Sequence, residues 1–314
     1  MKEYAVATYQ LTKQYDRYIA VNQVELQVES GEVYGLIGPN GAGKTTLIRM
    51  LAATEEPTIG EIYIHGELLR RDSTNTRLKK RLGYLPDDFP VYDDLSVWDY
   101  LDYFARLYHL KQPHRRYRLN DVLELVQLTS KRHSLIATLS RGMKQRLSLA
   151  RTILHEPMVL LLDEPVSGLD PIARMQFREI IKALQSAGMT ILISSHVLSD
   201  LAELCTSIGI MELGYLVEST SLKEFIRLSR QYIIIATLDS LDSLETFLKN
   251  APLVEGWERI PEQNRLKVAF SGRSEESATL LRSLIHAGIS ISEFHRTQED
   301  LETIFLNLGH RQVS

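Results

Sequence analysis

The stretch GPNGAGKTT, residues Gly38–Thr46, constrains this chain more than any other. It fits the spacing G-x-x-x-x-G-K-[ST]. Its glycines let the backbone wrap closely around an anion. Successive N–H groups and a following helix N-terminus supply partial positive charge. The apolar run VYGLI precedes the stretch, and the helix-compatible KTTLIRMLAA overlaps its end. A strand, a glycine loop and a helix in that order call for an α/β fold with a phosphate cradle at the carboxyl end of a strand. Gly38, Asn40, Gly41, Ala42, Gly43 and Thr46 are candidate cradle residues. Lys44 adds a full positive charge near the outer phosphates. The Thr45 hydroxyl is a candidate Mg²⁺ ligand.

The rest of the first two thirds of the chain agrees with such a fold. MVLLLDEP and MTILISSH are apolar runs without alternation. Runs of that kind predict strands covered on both faces, hence a largely parallel sheet surrounded by helices. Between Asp93 and Leu154 the strand signals vanish. Val97, Leu101, Phe104 and Leu107–Tyr108 recur at helical spacing, as do Leu119, Val122–Leu123 and Val126. This predicts a helical insertion over about residues 93–154, its stripes packed as core. After Glu218 the pattern restarts. YIIIATL, VEGWERI, RLKVAF and ISISEFHR read as strands. LDSLETFLKN, SEESATLLRSLIHAG and QEDLETIFLNL read as helices. The order βαββαβ predicts a small α+β, ferredoxin-like domain over residues 220–314, behind an α/β domain over residues 1–219.

Bulk properties exclude several functions. The net charge of −4 leaves no global basic footprint, so nucleic acid is not an expected partner. Cys205 is the single cysteine, so no intrachain disulfide can form; a reducing compartment fits. No apolar run reaches the ~18 residues a membrane helix needs, so any membrane role is expected to be peripheral. Basic residues cluster at Arg70, Arg71, Arg77, Lys79, Lys80 and Arg81, and again in HRRYR. A solvated face is the expected reading, with lipid headgroup contact as the alternative.

Two acidic segments carry the remaining chemistry. VLLLDEP ends a buried strand with Asp163 and Glu164, at the sheet end where such folds bind ligands. Asp163 is placed to hold Mg²⁺, and Glu164 to polarise an attacking water. YLPDDFP brackets Asp87 and Asp88 with prolines. By itself that is a turn.

In sequence order these stretches resemble the ATP-binding subunits of ABC transporters, over roughly residues 1–220. LSRGMKQRLSLAR resembles the family signature, SGLD (Ser167–Asp170) its D-loop, and ISSH supplies His196 at the switch-histidine position. LTKQYDRYIAV places Tyr15 at the aromatic position that stacks adenine, with Tyr18 as the fallback. The tail LETIFLNL is similar to that of a subfamily serving exporters of drugs, antibiotics, lipids or polysaccharides. The resemblance implies a P-loop ABC ATPase fold with Mg-ATP as cofactor. It implies a second ATP-binding subunit, as a homodimer in which Ser140 and Gly142 contact the ATP of the partner chain. A separate membrane permease is then the partner, and the place of work is the cytoplasmic face of the membrane.

The chain departs from the family pattern at three positions. Arg141 and Met143 stand where the signature commonly has glycine and glutamine. Asp87 stands where the family has the glutamine of its switch loop. A carboxylate there accepts hydrogen bonds or ligates Mg²⁺ but cannot donate as an amide does. Asp87 is therefore expected to face the ATP site, and Asp88 to face outward or cap the loop. Two other functions stay open at this point: a regulatory module that closes on ATP but hydrolyses it weakly, and a soluble ABC ATPase without a transporter. The transported substrate is not written in this chain.

Overall fold

The computed structural model describes residues 4–70, 75–197, 201, 203–228, 231–260 and 264–298. The chain divides into two compact units, Met1–Lys223 and Glu224–Ser314.

The first unit is built on a six-stranded sheet. Its strands are β4 (Val33–Ile37), β7 (Leu82–Leu85), β8 (Val159–Leu162), β9 (Thr190–Ser195), β10 (Ser207–Glu212) and β11 (Tyr215–Ser221). The order is β11-β10-β4-β9-β8-β7, parallel throughout except for the antiparallel edge strand β11. Every residue of β4, β8 and β9 is buried. Strands covered on both faces need apolar side chains at successive positions, which is why these segments read as unbroken runs.

A second, antiparallel sheet lies in the same unit and escapes the sequence patterns. It contains β1 (Tyr4–Tyr15), β2 (Tyr18–Val24), β5 (Ile59–Ile64) and β6 (Glu67–Leu68) in the order β2-β1-β5-β6, with β3 (Gln27–Glu29) paired to β1. Register shifts interrupt β1 against both neighbours. Gln10, within β1, has φ +46°. Such irregularities break the period-2 alternation by which strands are recognised.

Helix α1 (Lys44–Leu51) follows β4 directly through the glycine loop. After α2 (Thr76–Lys79), β7 leads to three longer helices. They are α3 (Val97–Leu107), α4 (His114–Leu125) and α5 (Arg141–Ile153). Val97, Leu101, Leu119, Val122, Leu123 and Val126 are fully buried, as the helical stripes predict. Leu107 and Tyr108 are not core: both are exposed, at the end of α3. In the HRRYR segment His114, Arg116 and Tyr117 are exposed, as a solvated face predicts, but Arg115 and Arg118 are engaged. Arg118 donates to the carbonyl of Leu154 at 3.1 Å, and Arg115 pairs with Asp102 at 2.8 Å. These arginines tie α4 to α5 and α3. Arg81 pairs with Glu67 at 2.9 Å; Arg71 lies outside the described residues. Helix α6 (Pro171–Ser186) is N-capped by Asp170, whose carboxylate accepts from the Ala173 N–H at 2.9 Å. Cys205 is buried, and burial pushes its thiol pKa up.

Helix α7 (Leu222–Leu228) spans the division between the units. The second unit then runs β12 (Gln231–Thr237), α8 (Leu241–Leu248), β13 (Val254–Ile260), β14 (Arg265–Phe270), α9 (Ser274–His286) and β15 (Ile291–Gln298). The sheet order is β13-β14-β12-β15 with every pairing antiparallel, which is the ferredoxin-like arrangement. Ile233, Ile235, Leu266 and Val268 form its core with Leu244 of α8 and Leu284 of α9. The helix read from QEDLETIFLNL falls outside the described residues.

Among the described residues no helix is long and apolar enough to cross a membrane.

Candidate functional site

The site is assembled at the carboxyl ends of β4, β7, β8 and β9. The glycine loop leaves β4 and turns into α1, with Gly43 at the N-cap. It lines a cavity of about 300 Å³. Asn40, Gly41, Ala42, Gly43, Lys44, Thr45 and Thr46 form the floor, and Tyr18, Asp87 and Glu164 stand around it.

Lys44 is 5% exposed, so its charge must be matched inside the protein. Its Nζ donates to the carbonyls of Gly38 at 2.7 Å and Pro39 at 3.2 Å. It also lies 3.4 Å from Glu164 Oε1. The other carboxylate oxygen, Oε2, is 2.8 Å from His196 Nδ1. Against a carboxylate, Nδ1 is the nitrogen that carries the hydrogen, which leaves Nε2 facing away from Glu164. Glu164 has φ +47°, a conformation that costs a non-glycine residue about 1–3 kcal/mol. Its position is set by Ser194, whose Oγ accepts from the Glu164 N–H at 2.9 Å and donates to Asp163 Oδ1 at 2.8 Å. Ser194 thus fixes both acids, and the sequence patterns missed it. The signal in the sequence was the paired serines Ser194 and Ser195 closing the apolar run of β9.

Asp163 is 1% exposed and accepts a second hydrogen bond, from Thr45 Oγ1 at 3.1 Å. Burial raises its pKa; the bonds from Ser194 and Thr45 oppose that rise, and Glu164 adds to it. Asp87 is raised too, by burial first and then by Asp163 and Glu164. A carboxylate with a raised folded-state pKa binds more protons folded than unfolded. Its ionisation therefore erodes stability as pH rises from the unfolded value of about 3.8 through the folded one. Asp163→Asn, which keeps an acceptor for Thr45 and Ser194, is expected to raise the melting temperature of the nucleotide-free chain at pH 7 by about 3 °C. The gain should shrink as the pH is lowered toward the unfolded value. Thermal unfolding of the two proteins across pH checks it, and a variant less stable at pH 7 would contradict it.

Thr45, Asp163, Glu164 and Asp87 are hard oxygen donors gathered at the end of α1. Among the described residues no group of three or more His, Cys, Asp or Glu side chains could hold a metal unaided. A site with few protein ligands suits Mg²⁺, which keeps waters and takes phosphate oxygens.

Of the other candidates, Tyr15, Ser140, Gly142 and Asp88 are not in the lining of this cavity. Tyr15 ends β1, 40% exposed, with Lys13 Nζ 4.9 Å from its ring centroid. It does not line the cavity over the loop. Tyr18 does, its hydroxyl 3.3 Å from the Gly41 carbonyl. Ser140 caps α5, accepting from the Met143 N–H at 3.3 Å. Gly142 has a packing reason as well: a Cβ there would stand 2.7 Å from Ala173 Cβ of α6. Asp87 borders the loop cavity, whereas Asp88 borders only the neighbouring one.

An ABC transporter ATP-binding protein of Bacillus subtilis, YxlF, is 34% identical over 307 residues, covering 96% of this chain and 98% of the relative. This chain belongs to the ABC transporter ATP-binding proteins. The ABC transporter family pattern itself matches residues 21–167, from β2 through the acids that follow β8 to Ser167. The bacitracin transport ATP-binding protein BcrA of Bacillus licheniformis is 30% identical over 314 residues, covering 96% of each chain. Among solved structures, cbiO1 of Clostridium perfringens, part of the ABC transporter complex cbiONQ, aligns with a TM-score of 0.67. That match covers 72% of this chain and 92% of the other at 24% identity, a likeness of fold. The ABC cassette fold, P-loop and nucleotide-binding ATPase character expected from the sequence are those of this family.

Proposed function

We propose that this chain hydrolyses Mg-ATP to energise export through a membrane permease carried by another polypeptide, working at the cytoplasmic face of the membrane. The observation that supports it most is the Glu164 carboxylate, held between Lys44 Nζ and His196 Nδ1 at the edge of the phosphate loop. The export direction rests on likeness to the Nod factor export ATP-binding protein I of Cupriavidus metallidurans, 32% identical over 302 residues and covering 96% of each chain.

In this reading the loop N–H groups and Lys44 take the phosphates of ATP. Thr45, Asp163 and Asp87 would hold Mg²⁺, which would neutralise phosphate charge there. Glu164 accepts a proton from the water that attacks the γ-phosphorus, and the bond to the β-phosphate oxygen breaks. His196 directs Nε2 to the γ-phosphate. Tyr15 or Tyr18 stacks the adenine. The residues 220–314 regulate the dimer or stabilise it.

Ser140 and Gly142 begin a 13-residue helix and would serve the ATP of a second copy, so that two chains sandwich two ATP molecules. Glu164→Gln with ATP is expected to shift the protein to twice its monomer mass by light scattering. Ser140→Ala or Gly142→Asp in that background should abolish the shift. A protein that stays monomeric with ATP, even beside its permease, would refute the sandwich.

A further inference from the structure

Two of the residues that depart from the family pattern, Asp87 and Arg141, line one cavity of about 430 Å³ between the segment after β7 and the start of α5. Lys144, Glu164 and Ser167 line it too. We infer that Arg141 is a positioning residue that balances the charge of Asp87 across this cavity and joins the switch segment to the turn at Ser167–Gly168. The inference rests on the reading above that Asp87 serves the ATP site.

Arg141 is anchored where that role needs it. Its Nη2 donates to the Ser167 carbonyl at 3.1 Å, and the guanidinium packs over Gly168. Gly168 has φ +65° and leaves room for the flat group. The other cation on the cavity wall, Lys144, is engaged by Asp93 at 2.7 Å. Lys44 is engaged by the loop carbonyls and Glu164. Asp87 shares this cavity with Asp88 and Glu164, both of its own sign, and Arg141 brings the opposite charge to the same wall. A guanidinium carries that charge at every working pH, because it does not deprotonate in proteins.

The arrangement has a mechanical consequence. Ser167 N–H donates to the Glu164 carbonyl at 3.1 Å, so the turn that Arg141 holds is continuous with the residue proposed as base. The side chain of Arg141 therefore touches the turn after Glu164 while its charge acts on Asp87. A change at either acid is felt by the same guanidinium.

The test is a double-mutant cycle in the full chain with Asp87→Gln, Arg141→Gly and the two combined. Each is measured first by thermal unfolding without nucleotide, and then by titration with a fluorescent ATP analogue in EDTA. Arg141→Gly alone should lower the melting temperature, and it should lower it less once Asp87 is glutamine. Equal losses in both backgrounds would overturn the pairing. In the titration Arg141→Gly should weaken analogue affinity about fivefold, the upper scale for a partly exposed charge pair. The combined variant should return to within about twofold of wild type. Coupling in unfolding but none in analogue binding would leave the pair standing and refute its place at the ATP site. Arg141→Lys should keep the coupling to Asp87, because the charge remains. Loss of coupling in that variant would overturn the electrostatic account.

Discussion

Replacing Glu164 by glutamine is expected to lower ATP turnover by about 10²–10⁴ while ATP binding survives, the usual scale for removing a general base. Glutamine keeps the size of the side chain, and its carbonyl oxygen still accepts from His196 Nδ1, now 2.8 Å from Oε2. The fold is therefore retained. What disappears is a group able to take a proton from water. Binding is expected to survive because the phosphate contacts proposed above come from the loop N–H groups and from Lys44, whose two carbonyl bonds to Gly38 and Pro39 do not involve Glu164. Phosphate release under saturating Mg-ATP, paired with an ATP-binding titration, reads both quantities. Undiminished turnover would remove Glu164 from the role of base. Lost binding would mean that the residue holds the loop rather than the water.

Gly43→Ala should lower ATP affinity by about 10²-fold without unfolding the chain. Gly43 has φ +100°, and a Cβ at this residue would stand 2.2 Å from the carbonyl oxygen of Ala20. That oxygen is backbone in β2 and cannot rotate aside, so the loop itself must shift. A shift that costs about 3 kcal/mol, the upper scale for stored backbone strain, equals two decades in affinity. Gly41 provides the control. Its φ is +83°, but nothing lies within 4 Å of its added Cβ. Gly41→Ala should therefore cost only the left-handed strain, about 1–2 kcal/mol, and lose about tenfold. Fluorescent nucleotide titration distinguishes the two, with circular dichroism to show that both remain folded. Equal losses would show that conformation alone, and not the contact with Ala20, governs the loop.

Much of this protein follows from the order of its residues alone. A glycine loop between an apolar strand and a helix specifies the phosphate cradle, because the spacing is local and the geometry it needs is local too. The unbroken runs of β4, β8 and β9 specify a buried parallel sheet, since no other environment accepts side chains of that kind on both faces. The βαββαβ order of the second unit carries its topology because each element is short and regular.

What the tertiary structure decided is every relation between residues far apart in the chain. Ser194 bridges Asp163 and the backbone of Glu164 across 31 and 30 residues, so no local pattern marks it. The bulged pairings of β1 hid an entire sheet, because a register shift turns side chains to the other face and erases alternation. Tyr18, rather than Tyr15, borders the loop cavity, a choice made by the turn between β1 and β2. Arg141 read as a departure from a motif until the fold set it on the same cavity as Asp87. Local spacing determines which chemistry a chain can carry, because backbone N–H groups and helix ends act over a few residues. Charge balance and side-chain contact act through space, and only the folded chain sets those distances.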